Sequence, residues 1–550
     1  MLSTPSELAL CGAGGTRTHD LTGLRAARHP AAAHRALLRR LPDPGWLAGG
    51  GNVLRSGRRL NADPSLTGTP GPAESGDELD SRRSTIGSRA DADHWQRRLA
   101  KLAKRHHVPG AVLGILRLAE PANPGGDELV EVAYGVLSTA TDVPVTVDSL
   151  FQIGSVTKVW TAAVVMQLVD KGALELDQPI RELLPELRLG DAEVAKHVTM
   201  RHLLGHTSGI EGDVFIDTGR GDDCVERFVS LLVNVGQNHP LGLTWSYCNS
   251  GYVLAGRVIE KLTEKTWDVV MREWLFDPLG LNHTVTLPEE ALLFRAAVGH
   301  LAEANQDPRP VPVWMLPRSC SPAGGVVSAA RDVLTFARLH LSRGLAADGN
   351  RVLSVEAVDS MQAEYILLPD RYSFGDSWGL GWDRREWDGH RLVGHDGATL
   401  GQSAFLRVLP AVGLVAVLLT NGGHTGDLYQ DLFREVFAEL AGVNMARPLI
   451  PPPSPPELDP SPYLGCYERT SSRLDVLQHT SGLILRSTNT SPFASLEPNP
   501  VQEFDLVPVR QDLFTVRKPG RQTWTPVTFY RLPDGTPYLH LGARAYPKVS

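Results

Sequence analysis

Ser155-Val156-Thr157-Lys158-Val159-Trp160-Thr161-Ala162-Ala163-Val164-Val165-Met166 continues through Gln167-Leu168-Val169-Asp170-Lys171 and meets Gly172. Apart from Lys158 the run carries no charge before Asp170, so it predicts a helix that is apolar nearly all round and is ended by Gly172 at its C′ position. Ser155 and Lys158 stand three apart and share one face of that helix. A serine hydroxyl is a weak nucleophile until a neighbour takes its proton, and an amine desolvated by an apolar helix has a lowered pKa and can do so. The free amides at the helix N-terminus also favour negative charge beside Ser155. Taken alone, the same residues read more simply as a serine cap followed by a snorkelling lysine.

Two further patterns change that reading. Tyr247-Cys248-Asn249 precedes Ser250-Gly251 and another apolar helix. A phenol near a cation can ionise or relay a proton, and the Asn249 amide can both donate to a substrate carbonyl and orient Lys158. The bland alternative is a half-buried tyrosine beside an asparagine cap. Gly394-His395-Asp396-Gly397-Ala398 lies between two expected antiparallel strands, where backbone N–H groups can line a cleft. His424-Thr425-Gly426 has the same H-x-G form, but it sits in a glycine-rich turn before a helix, so the 395 site is preferred. Each pattern is weak, and the three together point to serine acyl transfer.

Around them, the expected order is strands, many helices, more strands and a last helix. Strands are read at Gly110–Leu118 and Glu128–Leu137, joined across Asn123-Pro124-Gly125-Gly126, and again at Trp378–Trp387, His390–Val393, Gln402–Leu409 and Leu414–Thr420. Helices are read at Asp93–His107, Ser155–Lys171, Ile180–Leu184, Met200–Leu204, Gly251–Leu262, Trp267–Leu275, Ala330–Leu341 and Leu428–Leu440. That order predicts an α+β unit whose antiparallel sheet is assembled from both ends of the domain. Residues 1–92 mix Gly, Pro, Ala, Ser and Arg without lysine, with only Ala31–Leu41 resembling a helix, and are expected to be a disordered extension. The hydrolase unit is assigned to 93–447, a proline-rich linker to 448–462, and a small all-β domain to 463–550, with turns at Lys518-Pro519-Gly520 and Pro533-Asp534-Gly535.

The formal charge of −8 argues against a nucleic-acid partner, since phosphate binding needs basic surface. The five cysteines are scattered without metal-ligand spacing, and His106-His107 has no Cys or carboxylate at such spacing. No metal or organic cofactor is expected. The longest apolar runs fall short of the roughly 20 residues of a membrane span, and no secretory signal is recognised, so a cytoplasmic location is expected.

With Arg201-His202-Leu203-Leu204-Gly205-His206-Thr207-Ser208-Gly209 and Pro322-Ala323-Gly324-Gly325-Val326 added to the three motifs, Asp93–Asn444 resembles the class C β-lactamase and D,D-peptidase family of serine hydrolases. The resemblance implies a β-lactamase/transpeptidase-like antiparallel sheet flanked by helices. It implies Ser155 as nucleophile, Lys158 and Tyr247 as the proton-transfer pair, Asn249 as substrate and lysine partner, and His395 on the strand edging the site. The amides of Ser155 and Ala398 would form the oxyanion hole, and His206-Thr207-Ser208 would be a structural turn near the cleft. His395-Asp396-Gly397 stands where the lactamase-type pattern has Lys-Thr-Gly. If Asp396 faces the cleft, its charge disfavours anionic substrates relative to neutral esters or amides with a free amine. The C-terminal segment resembles the barrel-like domains of D-aminopeptidase and esterase relatives. The expected activity is hydrolysis of an ester or amide through an acyl-enzyme. The rivals are a D,D-peptidase or β-lactamase, and a catalytically silent binding protein of the same fold.

Overall fold

The computed structural model describes residues 91–119, 126–301, 307–480, 482–490, 499–517 and 523–550. The expectations for residues 1–90, the Asn123-Pro124-Gly125 turn and the Lys518-Pro519-Gly520 turn lie outside these. The first described helix, α1, is Ala92–Arg105. Its N-cap Asp91 accepts a hydrogen bond from the Asp93 amide, and its Trp95, Leu99, Leu102 and Ala103 form a buried stripe at helical spacing.

The large sheet contains β1 (Gly110–Arg117), β2 (Glu128–Gly135), β3 (Ile366–Leu367), β4 (Ser377–Trp378), β5 (Asp383–Trp387), β6 (His390–Ala398), β7 (Ser403–Leu409) and β8 (Leu414–Thr420). They lie in the order β2-β1-β8-β7-β6-β5-β4-β3, all antiparallel to their neighbours. The two ends of the domain meet where β1 pairs with β8, Leu113 opposite Leu418. Both of those strands are buried on both faces, which requires apolar side chains at successive positions rather than alternation. On one face lie α1 and α5 (Thr425–Ala441), and on the other α4 (Ala330–Leu341) and the helices inserted between β2 and β3. Among these are α2 (Thr157–Asp170) and α3 (Asn249–Thr263).

Two strand expectations change. The run Trp378–Trp387 is broken between β4 and β5 at Gly379-Leu380-Gly381. Gly381 has φ of +91°, and a Cβ there would lie 2.9 Å from that of Ala162, so the break lets the chain touch α2. β6 does not stop at Val393. It runs to Ala398 because residues 393–398 keep their pairing with β7, and this carries the third motif into the sheet. Ala192–His197, Cys224–Leu231 and Val355–Gln362 are short helices that the sequence reading missed.

The C-terminal domain is a separate antiparallel barrel-like sheet: β9 (Gly465–Arg469), β10 (Ser472–His479), β11 (Gly482–Asn489), β12 (Val501–Arg510), β13 (Leu513–Val516), β14 (Thr525–Arg531), β15 (Pro537–Leu541) and β16 (Arg544–Pro547), each paired with the next. The first strand returns to the chain end, Cys466 N–H donating to Ser550 and Val549 N–H to Cys466, which closes the edges. Tyr467, Leu474, Val476, Leu485, Phe514, Val527 and Leu539 fill its interior. Among the described residues no helix is long and apolar enough to cross a membrane.

Candidate active site

The helix that carries Ser155 enters as one tight turn, Gly154–Val156, before continuing as α2. Gly154 has φ of +52°, and a Cβ on it would lie 2.6 Å from the Ala398 amide nitrogen, so β6 presses directly on the turn. Ser155 stays partly exposed while the residues on either side are buried. Polar side chains in α2 hold the next element: Thr161 Oγ1 donates to the Pro322 carbonyl at 2.8 Å, and Thr157 Oγ1 accepts from the Val326 amide at 3.1 Å. These bonds put the Ala323 carbonyl over Lys158.

Lys158 is fully buried, and its Nζ lies 3.0 Å from Ser155 Oγ, 2.8 Å from Asn249 Oδ1 and 2.7 Å from the Ala323 carbonyl oxygen. Burial pushes its pKa well below that of a free lysine, with the charge of Arg544 acting in the same direction. A neutral amine has two N–H donors and one lone pair. Asn249 Oδ1 and the Ala323 carbonyl can only accept, so in the neutral form they take both donors and the lone pair is left for the Ser155 hydroxyl.

Asn249 is free for this because Cys248, not Asn249, caps α3: its Sγ accepts the Gly251 amide at 3.2 Å. Tyr247 sits with its ring centroid 4.9 Å from Lys158 Nζ. Its buried hydroxyl lies beside Ser155 without a hydrogen bond of standard geometry, and burial raises its pKa, keeping the phenol protonated. His395 is buried 6.1 Å from the Tyr247 ring. Its Nδ1 donates to the Asp396 carbonyl at 2.7 Å, so Nε2 carries the lone pair. Burial and then Lys158 lower its pKa to about 3, so the ring is neutral. A Cβ on Gly397 would lie 3.1 Å from the Ser155 nitrogen, which brings the Ala398 end of β6 alongside Ser155.

Six of the seven other expected residues, Lys158, Tyr247, Asn249, His395, Gly397 and Ala398, thus gather around Ser155. Asp396 corrects the reading that it meets substrate: strand alternation turns its side chain to the opposite face of the sheet, where Arg407 Nη1 lies 2.7 Å from Oδ1. His424 stands at the start of α5, on the side of His106 and Asp431. Among the described residues no group of three or more His, Cys, Asp or Glu is placed to hold a metal ion.

Several contributors were missed. His206, read as part of a turn, has φ of +58° and packs its ring, tilted by 33°, 4.2 Å from that of Tyr247, its Nδ1 accepting the Cys248 amide. The barrel reaches the site as well. The Tyr247 amide donates to the Ala543 carbonyl at 2.9 Å, and the Arg544 guanidinium carbon lies 5.0 Å from the Tyr247 ring centroid. Arg544 Nε donates to Asp213 at 3.0 Å, while Arg469 lies 2.8 Å from Asp213 and 2.6 Å from Glu211. Burial pushes the Asp213 carboxyl up, yet Arg544 and Arg469 outweigh it and hold the pKa at about 2. The Gly212 carbonyl in turn accepts the Asn249 amide at 3.2 Å. The contacts made by Arg469 and Arg544 join residues 258 and 331 positions apart, and no local pattern announces them.

A β-lactamase family model matches residues 95–441. "Penicillin-binding protein 4" of Amycolatopsis lactamdurans is 50% identical over 381 residues, covering 69% of this chain and 98% of that protein. "Unguisins hydrolase ungD'" of Aspergillus campestris is 25% identical over 483 residues, 79% of this chain and 86% of that protein. The solved structure of SurE with D-Leu superposes with a TM-score of 0.65 at 30% identity, covering 83% of this chain and 99% of that one. The chain therefore belongs to the β-lactamase family and is a serine hydrolase.

Proposed function

We propose that Ser155 is acylated by a peptide or amide substrate with a D-amino-acid residue at the scissile bond, and that water then releases the acyl group. The observation that carries the chemistry is the burial of Lys158 Nζ against Ser155 Oγ and two oxygens that can only accept, so that the amine, once neutral, keeps its lone pair for Ser155. Lys158 takes the Ser155 proton as Oγ bonds to the carbonyl carbon. The resulting oxyanion lies between the amides of Ser155 and Ala398, a pair of donors worth about 10²–10³ each in rate. Tyr247 gives its proton to the leaving nitrogen as the C–N bond breaks, and Lys158 restores it. Water adds to the acyl-enzyme with the same groups acting in reverse. The D-residue rests on the similarity, across both domains, to SurE solved with D-Leu.

The 50% identity to a protein named for penicillin binding favours a second reading, a penicillin-binding D,D-peptidase. Pairing of Asp396 with Arg407 removes the repulsion of anionic substrates expected from the sequence. Fluorophosphonate labelling, followed by a panel of D-amino-acid amides, p-nitrophenyl esters and nitrocefin, tests both. The full chain is expected to be labelled, Ser155→Ala to lose labelling and several orders of magnitude of turnover, and Ser208→Ala to keep both. Labelling that persists in Ser155→Ala overturns the nucleophile. Stable acylation by penicillin without turnover of D-amino-acid amides selects the second reading.

A further inference from the structure

Behind the third motif, on the sheet face turned away from Ser155, four charged side chains cluster, Asp383 and Arg407 buried and Arg385 and Asp396 partly buried. Asp383 and Arg385 come from β5, Asp396 from β6 and Arg407 from β7. Residues directly opposite across these antiparallel pairs share a face, and Asp383, Gly394 and Arg407 stand in one such row, with Asp396 two residues along β6. Arg385 brackets Asp383 with Nε and Nη2, each 3.1 Å from a carboxylate oxygen. Arg407 reaches Asp396 at 2.7 Å and Asp383 at 4.0 Å, and Arg385 Nη2 lies 3.7 Å from Asp396. The two carboxylates and two guanidiniums cancel in formal charge. Asp383 and Arg407 are 0% exposed, and the Tyr429 ring covers Arg407 at 4.9 Å.

Room for this cluster is built into the motif itself. A Cβ on Gly394 would lie 2.9 Å from Arg407 Cδ and 3.0 Å from its Nη1, so the glycine leaves the channel through which the guanidinium passes. The residue whose carboxylate is clamped on this face presents its backbone carbonyl to His395 Nδ1, and the strand then continues through Gly397 to the Ala398 amide beside Ser155. One anchored residue therefore sits between two groups that face the reaction.

We propose that Asp396 is a positioning residue: clamped by Arg407 and Arg385, it fixes the segment of β6 that orients His395 and places the Ala398 amide against the Ser155 carbonyl adduct. This rests on Ser155 as nucleophile. The carboxylate acts through its own backbone and never meets substrate. A buried ion pair is weak support for stability, since apolar replacements of similar volume often serve as well, so its geometry next to the reacting groups is what makes it informative.

The test uses the full chain with Asp396→Asn, Asp396→Glu and the charge-balanced pair Asp396→Asn/Arg407→Gln. Three quantities are read: the fluorophosphonate labelling rate, kcat and KM on a p-nitrophenyl ester, and the melting temperature. Asp396→Asn is expected to lose about 10–100-fold in labelling rate and kcat with KM nearly unchanged, as small misplacement of reacting groups does. Asp396→Glu should recover part of the rate. The balanced pair no longer leaves Arg407 as an uncompensated buried cation, so it should regain melting temperature while its rate stays low. A balanced pair that regains both would make the cluster an element of the fold alone, and an unchanged kcat with a KM that follows substrate charge would make Asp396 a substrate-reading group. Either result overturns the proposal. Labelling of the unmodified protein checks the hydrolase reading, and the variant-to-parent ratio checks this one, so the two can fail separately.

Discussion

At Lys158, folding and chemistry oppose each other. A lysine with no exposed surface has exchanged water for two carbonyl-type acceptors and a hydroxyl, and it is tolerated because it can shed its proton. This has a measurable consequence with a definite sign. The unfolded chain protonates this amine below about pH 10.4, whereas the folded state binds the proton only below its depressed pKa. Between those limits the unfolded state holds more protons, so folded stability falls as pH falls, by about 1.4 kcal/mol per unit from this group. Lys158→Met is expected to abolish turnover. Its melting temperature relative to the parent should rise as pH falls from about 10 toward the depressed pKa of the buried amine, whatever the offset from the lost hydrogen bonds. Parallel melting curves would mean that Lys158 is charged in the folded protein. The S-x-x-K spacing was legible in the sequence, as was the apolar helix that lowers the pKa. The Ala323 carbonyl, which decides where the lone pair points, lies 165 positions away and was not legible.

At the scale of elements, β6 is the piece whose reading changed most. Its sequence alternates poorly after Val393, since Gly394, Gly397 and the charged Asp396 all argue against a strand, yet pairing with β7 carries it on to Ala398. Small residues there serve approach: a Cβ on Gly397 would lie 1.9 Å from the Ile153 carbonyl oxygen. Gly397→Ala should therefore push β6 from the Ser155 turn and lower the labelling rate by about two orders of magnitude. Gly426→Ala, in the rival H-x-G pattern, meets no atom within 4 Å and lies in α5. That change should leave the labelling rate intact and raise stability by up to about 1 kcal/mol. The reverse ranking in labelling would move the third motif to residue 424. Helices Met200–Leu204 and Ala330–Leu341 were read to the residue because their apolar spacing is uninterrupted, whereas within 463–550 the sequence suggests strands only at Leu483–Arg486, Phe504–Val509, Phe514–Arg517, Thr525–Leu532 and Tyr538–Leu541, and β9, β10 and β16 were missed because half-polar strands resemble loops until a barrel closes around them.

For the molecule as a whole, the barrel and the hydrolase domain share the active site through Arg469 and Arg544. Arg469 is 5% exposed, and removing it leaves the buried Glu211 carboxylate without its guanidinium partner, which should cost about 3–5 kcal/mol in denaturant unfolding. Because the 211–213 turn also accepts the Asn249 amide, Arg469→Ala should slow labelling as well as lower stability. Arg486→Ala, in an exposed pair with Glu503, should change stability by less than about 1 kcal/mol and leave labelling alone. Equal effects of the two changes would reduce the barrel to an appendage. By itself the sequence determined the α+β order, the apolar helix that carries Ser155 and Lys158, the tyrosine and asparagine that lie beside it and the separate all-β C-terminal domain, because these follow from local periodicity, turn chemistry and motif spacing. Tertiary structure alone decided which face of β6 Asp396 takes, that His206 packs against Tyr247 and that an arginine from the barrel stands over the same ring. Those outcomes depend on strand register and on side chains meeting across hundreds of residues, where the governing interactions are burial and charge pairing in space.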